Sequence, residues 1–322
     1  MKLKKTISLL AIIFSLINTT FSQINIGSKE TIKLNSGKFS DEDIKALKES
    51  KTVFLYRKDD DIEKLKKAIQ SVWDYTEISF KPNDYIDRID FNTTSVFSIN
   101  SVSDYESVQG AGLHTYIFLS LWMKTPNKKG ELKKKTFCRI ELHPTTQDVF
   151  FAQGQTDEAK KHNYFYTQAT LRNWNIGFLK VYLNFVNQNL KNNERKWFFE
   201  SIKNTENLKK LATGTLYIPD YTFNNYDKFT GKEETRLSIL TIMKKYIFNY
   251  KVKKAESISE IILDPDSEPI YFLVYIRSSS DKFITVFDSE SAEILYSDYS
   301  GMKYNVKSKD FKKLAKAIKR SR

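Results

Sequence analysis

The chain has 322 residues, 40% of them hydrophobic and 28% charged, and 52 basic against 39 acidic side chains give a formal net charge of +13. That length can bury one or two cores, and the composition excludes a collagen-like, low-complexity or multi-pass membrane chain. A single cysteine excludes an intramolecular disulfide and a cysteine-rich zinc site.

Residues 1–22 read as a secretory signal peptide. Lys2, Lys4 and Lys5 form a positive start, and Ile7 to Ile17 is an apolar run too short to span a bilayer comfortably. Thr20 and Ser22 supply small residues at the −3 and −1 positions, so cleavage is expected before Gln23. The alternative is a retained membrane anchor. Cleavage predicts an exported protein, periplasmic or extracellular. It leaves 49 basic against 39 acidic residues, or +10.

From residue 23 onward the pattern reads as two related halves, 23–192 and 193–322. An apolar strand at 52–57 follows a helical piece around Leu47, and 215–219 repeats this after Leu208 and Leu211. Ile62, Leu65, Ile69 and Val72 then recur at helical spacing, as do Leu237, Leu240, Met243 and Ile247. Strand entries at Ile78 and Phe80, and at Val252, lead to short apolar turns around Ile86 and Ile261. Strands are expected at 94–99 and 115–123, and at 269–276 and 282–287. Each half then carries a hairpin-like pair: 137–142 into 149–151, and 283–287 into 294–296. Alternation in the first of these places Cys138 with Ile140 and Leu142 on an apolar face, as a buried, inert thiol. Closing helices are expected at 168–190, long and aromatic, and at 308–319, short and basic. The fold class is α+β: two β-α-β-β-β-β-α-like halves with mostly antiparallel sheets, bridged by the long aromatic helix.

This element order resembles the α/β module at the amino end of the TolB and curli-secretion CsgG-type envelope proteins. The resemblance is carried by the opening apolar strand, the helix after it, and the late strand-turn-strand across 288–296. Where those modules often carry an acidic-glycine turn, this chain reads Ala292. The mature chain as a whole resembles a family of uncharacterised secreted proteins of Bacteroidota-type bacteria. The features behind that are Phe21-Ser22-Gln23, the Lys/Asn/Ile bias, Thr215-Leu216-Tyr217-Ile218-Pro219-Asp220, and Tyr304-Asn305-Val306-Lys307-Ser308-Lys309. The resemblance implies an envelope location and brings no catalytic motif.

Local motifs for chemistry are few. His114, His143 and His162 never pair at metal-ligand spacing, and no nucleophile elbow, phosphate loop or Cys-x-x-Cys occurs. The glycines at 110 and 112 read as a connection between strands. No cofactor or metal is expected. Carboxylates at Asp59, Asp61, Asp264 and Asp266 read as helix-cap and turn residues, with a carboxylate-based envelope hydrolase as the alternative.

Aromatic residues offer more. Trp174, Phe178, Tyr182 and Phe185 recur at spacings of four, four and three, and Trp197 follows. The face they form packs a core or walls a groove for a peptide, lipid or glycan, with Trp174, Phe178, Tyr182 and Trp197 as candidate ligand contacts. The tail from Lys307 to Arg322 holds eight basic residues and one acidic. Phe311, Leu314, Ala315 and Ile318 give it an apolar stripe, with Ser308 as the expected cap. Its lysines either rest in water or dock on an anionic surface, with Lys312, Lys313, Lys316, Lys319 and Arg320 as the contacts. Export argues against nucleic acid as a partner. The reading that follows is a non-catalytic binding or interaction module of the envelope, with an envelope protein, glycan or lipid as partner. The alternatives are the hydrolase and a structural protein held at a surface by the basic helix.

Overall fold

The computed structural model describes residues 23–27, 39–105, 113–127, 129–196, 205–227, 232–234, 236–278, 281–301 and 303–322. The expected signal peptide, the glycine cluster at 110–112 and Trp197 lie outside them.

The first half contains β1 (Ile24–Ile26), α1 (Asp41–Glu49), β2 (Lys51–Tyr56), α2 (Ile62–Gln70), β3 (Ile78–Pro82), β4 (Thr94–Tyr105), β5 (Leu113–Pro126) and β6 (Leu132–Glu141). Side-chain caps set its helix starts. Ser40 and Asp43 form a reciprocal capping box on α1, and Asp61 accepts from Lys64 N on α2. The sheet order is β1-β6-β5-β4-β2-β3, with β2 parallel to β3 and β4, and the remaining pairs antiparallel.

Three helices follow: α3 (Thr146–Gly154), α4 (Glu158–Thr167) and α5 (Ile176–Lys191). Two expectations are corrected here. Val149, Phe150 and Phe151 are helical, because Thr145 and Asp148 close a capping box that starts α3. The helix expected at 168–190 begins at Ile176, and Tyr164, Phe165 and Tyr166 belong to the separate α4.

The second half contains α6 (Thr205–Leu208), β7 (Leu216–Pro219), β8 (Asn225–Tyr226), β9 (Glu233–Glu234), α7 (Ile239–Met243), β10 (Tyr250–Lys253) and α8 (Ala255–Leu263). It closes with β11 (Tyr271–Ser278), β12 (Asp281–Asp288), β13 (Ile294–Ser300) and α9 (Ser308–Arg320). Its sheet order is β10-β7-β11-β12-β13, parallel across the first two pairings and antiparallel across the last two. With β1 set aside, the first sheet reads β3-β2-β4-β5-β6 with the same directions. In the β12–β13 turn, Ala292 adopts a left-handed φ of 58°, a conformation that glycine takes most readily. The protein is thus α+β with two mostly antiparallel sheets, and its core runs continuously through both.

α5 joins the halves. It packs on α2 and β1 on one side and on α8 on the other. A helix apolar all round is a buried helix, and Phe178, Leu179, Val181, Tyr182, Leu183 and Val186 are all buried. Phe178 stacks on Phe272 of β11 with centroids 5.0 Å apart, and Tyr182 lies 5.7 Å from Phe287 of β12. The approach to α8 depends on Gly177, whose N–H donates to Ser259 Oγ at 2.8 Å. A Cβ there would stand 2.6 Å from the Ser259 carbonyl oxygen.

Candidate functional site

A buried polar seam runs where β5 and β6 meet β11 and β12. Arg139 Nε donates to Glu141 Oε1 at 2.5 Å, and Ser278 of β11 donates to Glu141 Oε2 at 2.5 Å. Tyr116 of β5 donates to Asp281 Oδ2 of β12 at 3.4 Å, and Tyr299 of β13 donates to Asp281 Oδ1 at 2.9 Å. Beside the seam, His143 is fully enclosed, edge-on to Tyr221 and Tyr275, with Nδ1 3.1 Å from the Tyr275 carbonyl. Desolvation holds its imidazole well below the ordinary range, helped by the charges of Arg277 and Arg172. Buried charge is retained when paired, and this seam meets that condition.

A cleft of about 730 Å³ is lined by residues of both halves. The start of α3, Thr170 and Arg172 line it from the first half, and Lys232 and Glu233 from the second. Backbone bonds set this geometry. Thr145 N donates to Thr170 O at 3.3 Å and Arg172 N to His143 O at 2.9 Å. The Asp148 carboxylate is consumed inside the wall by Thr145 N, Tyr164 Oη and Thr170 N. Two arginines from different halves converge on Glu233. Arg172 binds Oε2, and Arg277 reaches Oε1 at 3.4 Å while also donating to Thr146 Oγ1 at 3.2 Å. The Arg277 guanidinium lies 3.8 Å from the Tyr226 ring centre. Phe150, 58% exposed, stands at the rim.

The residues singled out from the sequence take other places. Trp174, Phe178 and Tyr182 are buried, and none of them lines a cleft described here. Trp174 Nε1 donates to Asp60 Oδ1 at 3.0 Å, and Tyr182 meets Asn173. The aromatic face is therefore core: Trp174 lies 6.1 Å from Phe54 of β2, and Phe178 and Tyr182 lie against the second sheet. Trp197 lies outside the described residues. Asp59, Asp61, Asp264 and Asp266 are exposed on separate turns, which removes these four as a hydrolytic constellation. Asp264 serves its own turn, accepting from Asp266 N and Ser267 Oγ. Cys138 is buried, and desolvation pushes its thiol up to about 12. A second cavity, about 670 Å³, lies between the 3-10 turn Asn83–Arg88, α4 and β4, with the His162 imidazole lowered by burial on its wall. No group of three metal-ligating side chains occurs among the described residues.

The basic helix keeps the stripe expected of it. Phe311, Leu314, Ala315 and Ile318 are buried, while Lys309, Lys312, Lys316, Lys319 and Arg320 are exposed. Its cap is Lys307 rather than Ser308, because the Asp310 carboxylate takes the Lys307 N–H at 2.8 Å. The same oxygen receives the buried Lys282 ammonium of β12 at 2.5 Å. Lys313 differs from the other predicted contacts: it chelates Asp298 at 2.9 and 3.0 Å. α7 and the segment after it pack on this helix through Tyr246 and Phe311, 6.2 Å apart. They carry Leu240, 81% exposed, and Ile247, 61% exposed. Among the described residues no helix is long and apolar enough to cross a membrane.

No protein-family model matches the chain, and no curated protein or solved structure matches it at a significant level.

None of the residues that line the inter-half cleft was singled out from the sequence as a ligand contact. Thr145 and Asp148 carry a local capping signal, but Arg172, Glu233 and Arg277 are 44 or more residues apart and meet only through the packing of the halves.

Proposed function

We propose that the protein is an exported, non-catalytic binding module that rests on an anionic envelope surface through α9. The observation that carries this reading is the two-sidedness of α9, apolar inward and uniformly basic outward. Exposed Leu240 and Ile247 stand on the segment packed against it. A basic face beside exposed apolar side chains is the chemistry of peripheral attachment to anionic lipid. Each basic residue near such a surface contributes about 1 kcal/mol, and salt screens the attraction. Export is supported by the charge and hydropathy pattern of residues 1–22.

Co-sedimentation with vesicles tests the attachment. The full mature chain binds vesicles containing phosphatidylglycerol, releases in high salt, and ignores pure phosphatidylcholine. The variant Lys309→Gln/Lys312→Gln/Lys316→Gln/Lys319→Gln loses this binding with an unchanged melting curve. Equal binding by both chains, or none by the parent, overturns the reading.

We also infer that the two halves are copies of one unit. The common order and direction of five strands in each sheet support it. A superposition of the two sheets that left their crossover helices on opposite faces would count against it.

A further inference from the structure

We propose that the mature amino terminus is a modification site: once residues 1–22 are removed, Gln23 closes on itself as a pyroglutamate ring and is folded into the core in that form. This rests on the export reading, which places cleavage before Gln23, and the test below separates the two.

The first argument is enclosure. Chain ends ordinarily lie at the surface, where water carries their charge. Gln23, Ile24 and Ile26 are instead wholly enclosed, with α5 packed on β1. Glu141 N of β6 donates to Gln23 O at 3.0 Å, which carries the β1–β6 ladder one residue past Ile24. The Gln23 side chain lies beside the buried Tyr182 hydroxyl, yet neither its Oε1 nor its Nε2 has a hydrogen-bond partner. A buried amide in that state costs free energy.

The second argument is charge. Cleavage leaves an α-ammonium on Gln23, since an α-amine ionises at about 8. The carboxylate across the ladder, that of Glu141, is already held by Arg139 Nε and Ser278 Oγ, each at 2.5 Å. An ammonium at the end of β1 is thus a buried charge with no carboxylate reserved for it. Ring closure removes both liabilities together. The unprotonated α-amine attacks the side-chain Cδ, the bond from Cδ to the amide nitrogen breaks, and ammonia leaves with the proton that the amine gives up. The charge and all but one of the N–H donors disappear. The Gln23 backbone carbonyl, which pairs with Glu141, takes no part. Because the folded chain encloses Gln23, the ring forms before β1 joins the sheet.

The test begins with protein isolated from the cells that make it, whose amino-terminal peptide is sequenced by tandem mass spectrometry. The expected peptide starts at residue 23 and is lighter than the glutamine form by one ammonia. A peptide that starts at an open Gln23 overturns the proposal and leaves cleavage standing; one that starts elsewhere overturns both. The mature chain is then prepared in two forms, open and closed by glutaminyl cyclase acting on the denatured chain, and each is refolded. The closed form melts higher by about 2–4 °C; equal melting overturns the claim that the core selects the ring. Pyroglutamyl aminopeptidase should release the ring from denatured protein and spare the folded one. Rapid release from the folded chain overturns the enclosure on which the proposal stands.

Discussion

Lys282→Met tests how α9 is fixed. The Lys282 ammonium is buried and bonds Asp310 Oδ2 at 2.5 Å and Asn305 O at 3.1 Å. Methionine keeps the aliphatic stem packed but removes both bonds. It strands the Asp310 carboxylate, whose Oδ1 already lacks a partner and whose Oδ2 retains only Lys307 N–H. Breaking one partner of a buried pair costs about 3–5 kcal/mol. Asp310 lies in the first turn of α9, where the helix dipole returns up to about 1 kcal/mol to a carboxylate, so the expected loss is about 3 kcal/mol. Adding Asp310→Asn to the Lys282→Met chain discharges the stranded group while keeping an acceptor for Lys307. The double variant should therefore recover about 2 kcal/mol. Urea denaturation of the parent, the two single variants and the double variant, followed by tryptophan fluorescence, gives the cycle. Additive losses, or a Lys282→Met loss below about 1 kcal/mol, would refute the claim that this pair locks α9 to the second sheet.

Other expectations follow from groups whose environment is fixed. His143 is neutral in the folded state and its pKa lies below its ordinary 6.5. The unfolded chain therefore takes up the proton first, so the His143 contribution is whole above pH 6.5 and is lost as pH falls. Relative to His143→Gln, the parent should lose stability between pH 7 and pH 5; parallel stability curves for the two chains would contradict this. Gly177→Ala brings a methyl group against the backbone of α8. It should destabilise by about 1–3 kcal/mol despite alanine's better helix propensity, and a gain in melting temperature would show the helices less closely packed. Cys138 should resist Ellman's reagent in the native state and react stoichiometrically in denaturant, since only the thiolate attacks; rapid native labelling would place it outside the core.

The sequence carried the order of elements well, because strands and amphipathic helices differ in period, and the two sheets needed no long-range information to be outlined. Its errors had one local cause and one distant one. Val149-Phe150-Phe151 lacks both periods, so only the Thr145–Asp148 cap decides for helix. Trp174, Phe178 and Tyr182 have the spacing of a groove and of a core alike, and what covers them, Phe54 for Trp174 and Phe272 and Phe287 for the other two, lies far off in the chain. The basic face of α9 was legible because it is one continuous helix. The cleft was not, because its charges come from separate segments and its recognition needs the halves already assembled.

The placement of α5 has a consequence for the order in which the protein is made. The helix belongs by sequence to the first half, yet Phe178 and Tyr182 find their partners in β11 and β12. When a chain grows from its amino end, the first half can be complete up to residue 191 while these rings still face water, until about a hundred more residues have emerged. During that interval an aromatic helix face is open to neighbouring chains. The protein therefore places its aggregation risk in the pause between two sheets, and any partner that shields nascent chains would find α5 its natural grip.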